Sequence, residues 1–271
     1  MSPKLITVFG ATGAQGSSVI RSLGGNISKP FTLRGITRNP SSASAQELSK
    51  SGVEVVKADG WDKDSLIAAF KGSWAVFANT NSDDAVFENP EETRTEADLG
   101  KLIVDAAVEA GVEVFVYSGM ASARESTKGK IPVVAFDGLF CYSSIKTLSN
   151  LILDKHAIGE YAKATNAFKS VVIVSAGWYF ENFLIADMAP VFGGFPLTPS
   201  EDGVLLFRSP KWGGKEDVPF IAIGDDYGDI VHGIFIDPER YNGSLVQGVS
   251  DIKSLEDTTS AFEKGRLSST R

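Results

Sequence analysis

From Leu5 to about Ser175, short β-branched and apolar runs alternate with amphipathic stretches. That alternation predicts a parallel sheet whose strands are joined by crossover helices. The runs place strands at Leu5 to Phe9, Thr32 to Thr37, Val53 to Lys57, Trp74 to Ala78, Glu113 to Tyr117 and Ser170 to Val174. Thr93 to Ala110 reads as the clearest helix, with Leu99, Leu102, Ile103 and Ala106 at helical spacing and Gly111 placed to end it. After Ala176 the rhythm breaks. Pro190, Pro196, Pro199, Pro210 and Pro219, with clustered glycines, predict a looser segment beside the strand ends that carries substrate or partner specificity. A helix from Asp226 to Ile236, a strand from Leu245 to Val249 and a helix from Ser254 to Lys264 follow.

The first strand runs directly into Gly10-Ala11-Thr12-Gly13-Ala14-Gln15-Gly16, and the residues after it can begin a helix. A strand, a glycine turn and a helix N-terminus aim backbone N–H groups and the helix dipole at a pyrophosphate, which missing Cβ atoms allow to come close. Glycines three apart depart from the common two-then-three spacing but serve the same geometry. The second strand ends at Thr37-Arg38-Asn39-Pro40-Ser41. An acid there would receive a ribose 2′-hydroxyl, whereas an arginine with serine hydroxyls suits a 2′-phosphate, so NADP(H) is the expected cofactor. The competing reading of Arg38 is a solvated surface side chain. Asp59 could accept from the adenine amino group, and Asp59-Gly60 is equally an ordinary turn. Asn79, Thr80 and Asn81 follow the fourth strand and Ser118 the fifth, on the carboxyl edge where open α/β sheets bind ligands.

Composition narrows the function classes. With 271 residues and 43% apolar content the chain can fill a sizeable core. A net charge of -8 argues against a broad cationic face for nucleic acid, so any regulatory role is expected to run through a protein partner. One cysteine and two distant histidines give neither a disulfide framework nor metal-ligand spacing, which favours a reducing compartment and a metal-free protein. No secretory h-region is read at the N-terminus, and no apolar run approaches the ~20 residues of a membrane span. The expected location is cytosolic, with the nucleus as a second compartment.

Other residues have competing readings. Tyr142 and Lys146 match the YxxxK pair in which a lysine cation lowers a phenol's pKa for proton exchange during hydride transfer. Such a pair arises readily by chance. Cys141, in an apolar stretch, reads as inert packing, and His156 and His232 as surface or packed side chains.

Taken together, the glycine turn, Thr37-Arg38-Asn39-Pro40, Ala58-Asp59, Glu96 with Gly100-Lys101, Phe115-Val116-Tyr117-Ser118 and Trp178-Tyr179-Phe180-Glu181-Asn182-Phe183 resemble the NmrA-like family of atypical short-chain dehydrogenases. The resemblance covers roughly Lys4 to Lys264. It implies a Rossmann-type doubly wound parallel sheet that binds NADP(H), with Ala58 and the stretch Tyr179, Phe180, Glu181 and Asn182 among the cofactor-side residues and a smaller C-terminal region over the nicotinamide. In that family a Phe-Asp pair runs almost directly into a lysine that opens a helix ending in Glu-Tyr. Here Phe136-Asp137-Gly138 is followed by residues 139–154 before Lys155, so 139–154 read as inserted and Lys155 takes the family's lysine position. The resemblance gives that lysine one of two roles, holding the nicotinamide ribose or donating a proton, with Tyr142 and Lys146 as the alternative catalytic pair. The family also continues beyond the last helix, so part of the substrate cleft is expected to be missing.

The organisation that follows is a dinucleotide-binding domain over residues 1–176 and a dependent C-terminal region over 177–271. Two functions remain open. One is an NADP(H)-dependent oxidoreductase acting on a small carbonyl or alkene, as in fungal biosynthetic pathways. The other is a redox sensor that binds cofactor without turnover and acts on a regulatory protein partner, such as a transcription factor.

Overall fold

The computed structural model describes residues 3–26, 31–82, 84–89, 91, 93–122, 128, 145–209 and 216–269, and within these every side chain except those of 85, 88, 145–154 and 266–269. The chain begins β1 (Lys4–Phe9), α1 (Ala14–Gly24), β2 (Phe31–Thr37), α2 (Ala43–Lys50), β3 (Glu54–Lys57), α3 (Lys63–Phe70) and β4 (Ala75–Ala78). It continues through α4 (Glu96–Glu109), β5 (Val114–Ser118), α5 (Ile145–Ala164) and β6 (Ser170–Ala176). A seven-stranded sheet runs in the order β3-β2-β1-β4-β5-β6, with β9 (Leu245–Gly248) on its edge. The pairs from β3 to β6 are all parallel. This is the doubly wound order, and its direction reverses between β1 and β4, the switch point at which such sheets bind ligands.

The central strands form because helices cover both their faces: β4 and β5 are buried at every position. Val76, Phe115 and Tyr117 from these strands pack with Leu99, Ile103 and Ala107 of α4 and Ile158 and Ala162 of α5. Helix α4 starts where Thr95 and Asp98 form a reciprocal capping box and ends before Gly111, which has a φ of 74°.

Two sequence expectations meet a different arrangement. Lys155 was expected to open its helix, but α5 begins at Ile145 and runs without a break through Lys155. Residues 145–154 of the segment read as inserted are therefore helical. Cys141 and Tyr142 lie outside the described residues, as does the side chain of Lys146. Packing also divides the chain differently from a single boundary after residue 176. One unit comprises Met1–Ser175 and Gly228–Gln247, the other Ala176–Tyr227 and Gly248–Arg271. The return has a local cause. Helix α6 (Gly228–Ile236) meets α1 at Gly228, whose N–H donates to Ser18 Oγ at 3.0 Å. A Cβ at Gly228 would stand 2.1 Å from the Ser18 carbonyl.

The second unit has its own small sheet, ordered β10-β8-β7, from β7 (Trp178–Tyr179), β8 (Asp217–Ile221) and β10 (Asp251–Ser254). Its interior is aromatic: Phe180 stacks on Phe220 with 4.6 Å between centroids, and Phe183, Phe192, Phe195 and Phe207 pack edge and face nearby. Helix α7 (Leu255–Ser269) joins this core through Phe262, 4.9 Å from Phe195.

Candidate cofactor and active site

The turn from β1 to α1 uses its three glycines in three ways. Gly10 has a φ of 79°, a conformation that L side chains rarely adopt. Gly16 is needed for close approach, since a Cβ there would stand 2.2 Å from the Gly10 carbonyl oxygen. Gly13 is required by neither condition: its φ is -82°, and a Cβ would meet only the Gly10 oxygen at 3.4 Å, an ordinary contact. Thr12, Gly13 and Ala14 are exposed, whereas Ala11, Gln15 and Gly16 are buried. Gly13 is also the N-cap of α1 and offers no side-chain acceptor, while α2, α3 and α4 are capped by Ser42, Asp62 and Thr95. A helix N-terminus without a side-chain cap, with the positive end of its dipole, fits a pyrophosphate.

At the tip of β2, Thr37 Oγ1 accepts from the Asn39 N–H and Asn39 Oδ1 from the Ser41 N–H, so Asn39 and Ser41 build the turn that presents Arg38. Pro40 lies exposed in the same turn. The Arg38 side chain is 64% exposed and donates from one terminal nitrogen to Asp84 Oδ2 at 3.0 Å. Sequence reading missed Asp84, which lies 46 positions further along the chain. Asp59 proves to organise a turn, its Oδ1 accepting from the Trp61 N–H at 3.0 Å, and Ala58 is in the core.

The carboxyl edge beyond β4 and β5 holds a buried polar cluster. Asn79 places its carbonyl beside Gly10, Asn81 is exposed and Ser118 is buried at the end of β5. Thr80, 2% exposed, turns its hydroxyl inward, where it donates to Glu96 Oε1 and lies 2.8 Å from the Tyr117 hydroxyl. Ser82 donates to the other Glu96 oxygen at 3.0 Å. Lys155 enters from α5 with its Nζ 2.6 Å from Glu96 Oε1, 2.9 Å from the Thr80 carbonyl and 3.0 Å from the Thr80 hydroxyl. The Glu96 side chain is fully buried and that of Lys155 is 16% exposed. Sequence reading had noted Glu96 and Tyr117 for their resemblance alone. A charged residue in the first turn of a strongly capped helix, four positions before Gly100, is the signal that was available for Glu96.

Two further contacts keep α4 and α5 in register behind this cluster. A Cβ on Gly100 would stand 2.2 Å from Ile158, and the Tyr161 hydroxyl donates to Asp105 at 2.8 Å. That hydrogen bond to a carboxylate, the largest cause, with burial next, holds the Tyr161 phenol above its ordinary pKa.

In the second unit, Trp178 and Phe180 are half-buried and stack on Phe220. Tyr179 and Asn182 are half-buried. Glu181 accepts from the Gly224 N–H at 2.8 Å through one oxygen, while its other oxygen is buried and has no hydrogen-bond partner among the described residues. His232, read from sequence as a surface or packed side chain, hydrogen bonds Ser22 and Asn26 between α6 and α1. Among the described residues, no group of three His, Cys, Asp or Glu side chains is placed to hold a metal ion, and no helix is long and apolar enough to cross a membrane.

Comparison with known proteins agrees with this geometry. An NmrA-like family domain-containing oxidoreductase of Aspergillus hancockii is 47% identical over 261 residues, 96% of this chain and 72% of its own. One from Aspergillus flavus is 45% identical over 265 residues, 97% of this chain and 73% of its own. The crystal structure of NmrA, a negative transcriptional regulator, in complex with NADP superposes with a TM-score of 0.68 at 22% identity, covering 94% of this chain and 68% of that one. The profile of the NmrA-like family matches residues 2–268, and the chain belongs to that family.

Proposed function

We propose that the chain binds NADP(H) and works as an oxidoreductase on a small organic carbonyl or alkene. The observation that carries the reading is Gly13, where, among the described residues, an added Cβ would meet only the Gly10 carbonyl oxygen, at a helix N-terminus without a side-chain cap. Relatives named as oxidoreductases and an NADP-bound structural neighbour support it. The bound cofactor would supply a hydride. The chain's own residues would bind and orient it: the β1–α1 turn takes the pyrophosphate, Arg38 the 2′-phosphate, and the carboxyl edge bearing Asn79, Thr80, Ser118 and Lys155 faces the reacting end. Lys155 is the catalytic candidate. Tyr142 and Lys146 are the alternative pair.

A second reading has an observation of its own. Each of the three Lys155 ammonium hydrogens has an acceptor within the protein, which suits a sensor that holds cofactor without turnover and acts on a protein partner. One comparison separates the readings: NADPH affinity by calorimetry, and NADPH consumption with a panel of carbonyl and enone compounds, for the parent, Lys155→Met and Tyr142→Phe. Turnover lost in Lys155→Met and kept in Tyr142→Phe supports Lys155. The reverse assigns catalysis to Tyr142. Tight binding without turnover in any version supports the sensor.

A further inference from the structure

We infer that Glu96 is a positioning residue that holds the Lys155 ammonium in place, so that Lys155 acts through its charge and does not hand a proton to substrate. The inference deepens the oxidoreductase reading and rests on Lys155 belonging to that site.

The geometry is specific. An ammonium group has three hydrogens, and the Lys155 Nζ has three acceptors within 3.0 Å: Glu96 Oε1, the Thr80 carbonyl and the Thr80 hydroxyl. The Thr80 hydroxyl cannot take the place of the carboxylate, because its own hydrogen points at Glu96. Its remaining oxygen capacity faces Lys155 and the Tyr117 hydroxyl. Glu96 receives donors from Lys155, Thr80 and Ser82 and has no exposed surface. If Lys155 passed a proton to substrate, the carboxylate would stay behind as a buried anion without a countercharge, an arrangement that proteins tolerate poorly. The cluster therefore opposes proton donation by Lys155. With its three hydrogens taken inside the protein, Lys155 acts on negative charge developing at a substrate oxygen through its field. In reduction of a carbonyl, bound NADPH would supply the hydride and water the proton, leaving NADP+ and hydroxide, and Lys155 would keep all three hydrogens.

The test reads the amine directly as well as turnover. Lysines of the cofactor-free protein are labelled competitively with acetic anhydride and quantified by mass spectrometry, with exposed Lys50 as internal reference. Labelling of Lys155 should be strongly suppressed in the parent. Glu96→Gln keeps the shape and removes the charge, and should raise Lys155 labelling roughly tenfold or more relative to Lys50. Turnover supplies the second readout. Lys155→Arg cannot donate a proton and should retain a substantial part of kcat, whereas Lys155→Met loses it. Glu96→Gln should lower kcat with NADPH affinity unchanged, a split that a purely structural role would not give. Unchanged labelling in a folded Glu96→Gln protein overturns the inference. So does Lys155→Arg as inactive as Lys155→Met while NADPH still binds. Parent-level turnover in Lys155→Met would instead overturn the underlying assignment of Lys155 to the reaction, which keeps the two failures distinguishable.

Discussion

Arg38 at the tip of β2 is paired with Asp84, 3.0 Å between nitrogen and oxygen, and the two differ sharply in exposure, 64% against 10% for their side chains. Asp84 is itself anchored, its other oxygen accepting from the Val86 N–H. The carboxylate thus holds the guanidinium through one terminal nitrogen, on a side chain that is mostly exposed. An arginine oriented in this way can meet a 2′-phosphate without first losing its partner. Arg38→Ala should weaken NADPH binding roughly 10- to 100-fold, as expected for loss of charge-assisted hydrogen bonds to phosphate. NADH binding should change little. Arg38→Lys should recover only part of the loss, since one ammonium cannot reproduce the planar fork. Equal calorimetric affinities for NADPH and NADH in the unmodified protein would refute the assignment.

The glycine turn separates binding from folding. At Gly13 a side chain meets no backbone closer than 3.4 Å and no unusual φ, so Gly13→Val should fold and fail to bind dinucleotide. At Gly16 even one methyl lands 2.2 Å from the Gly10 carbonyl, so Gly16→Ala should lose about 1–3 kcal/mol of stability through overpacking. Circular dichroism melts and cofactor titrations of the two variants check the contrast. Unchanged NADPH affinity in folded Gly13→Val would place the pyrophosphate elsewhere.

Local pattern carried the sheet and the turn. Six strands could be read because their apolar runs are bounded by turn residues, and Gly10 to Gly16 could be read because a strand precedes it. What stayed hidden depends on pairing across long stretches of chain. Lys155 meets Glu96 across 59 positions, and no local spacing announces that contact. The start of α5 was misplaced because comparison with the family's spacing made residues 139–154 look foreign, while the backbone from Ile145 onward is helical. Strands β8 and β10 escaped notice as short pieces next to proline and charge, β8 even containing Pro219.

The hydrogen bond from Tyr161 to Asp105 gives a pH dependence with a definite sign. Its phenol pKa is raised in the folded protein, so the unfolded chain releases this proton first as pH rises. The contribution is fully present below the ordinary tyrosine value of about 10 and is lost as pH climbs through the raised folded value. Tyr161→Phe should therefore narrow its stability deficit against the parent at strongly alkaline pH and show a constant deficit from neutral pH to about 9. Urea melts across that range test it. A deficit that grows with alkalinity would contradict the assigned direction.

The register of α4 on α5 yields a final prediction. Glu96 and Gly100 are one turn apart on α4, and they face Lys155 and Ile158, which are one turn apart on α5. Gly100 permits this approach: an added Cβ would stand 2.2 Å from one Ile158 carbon and 2.7 Å from another, with Ile158 only 1% exposed and unable to swing clear. On the far side of α5, Gly159 is equally close to the sheet, where a Cβ would meet Ile173 at 2.9 Å. The helix has no slack toward either neighbour. Gly100→Ala should push α5 outward at Ile158, costing about 1–3 kcal/mol, or several degrees in Tm for a chain of this size. It should also loosen the Lys155–Glu96 contact one turn away and raise Lys155 labelling above the parent's. Truncating the obstructing side chain in Gly100→Ala/Ile158→Ala should restore part of both, so that the double variant melts higher than the sum of the single effects allows. Purely additive losses, or Gly100→Ala melting and labelling like the parent, would show that the spacing of these helices does not set the position of Lys155.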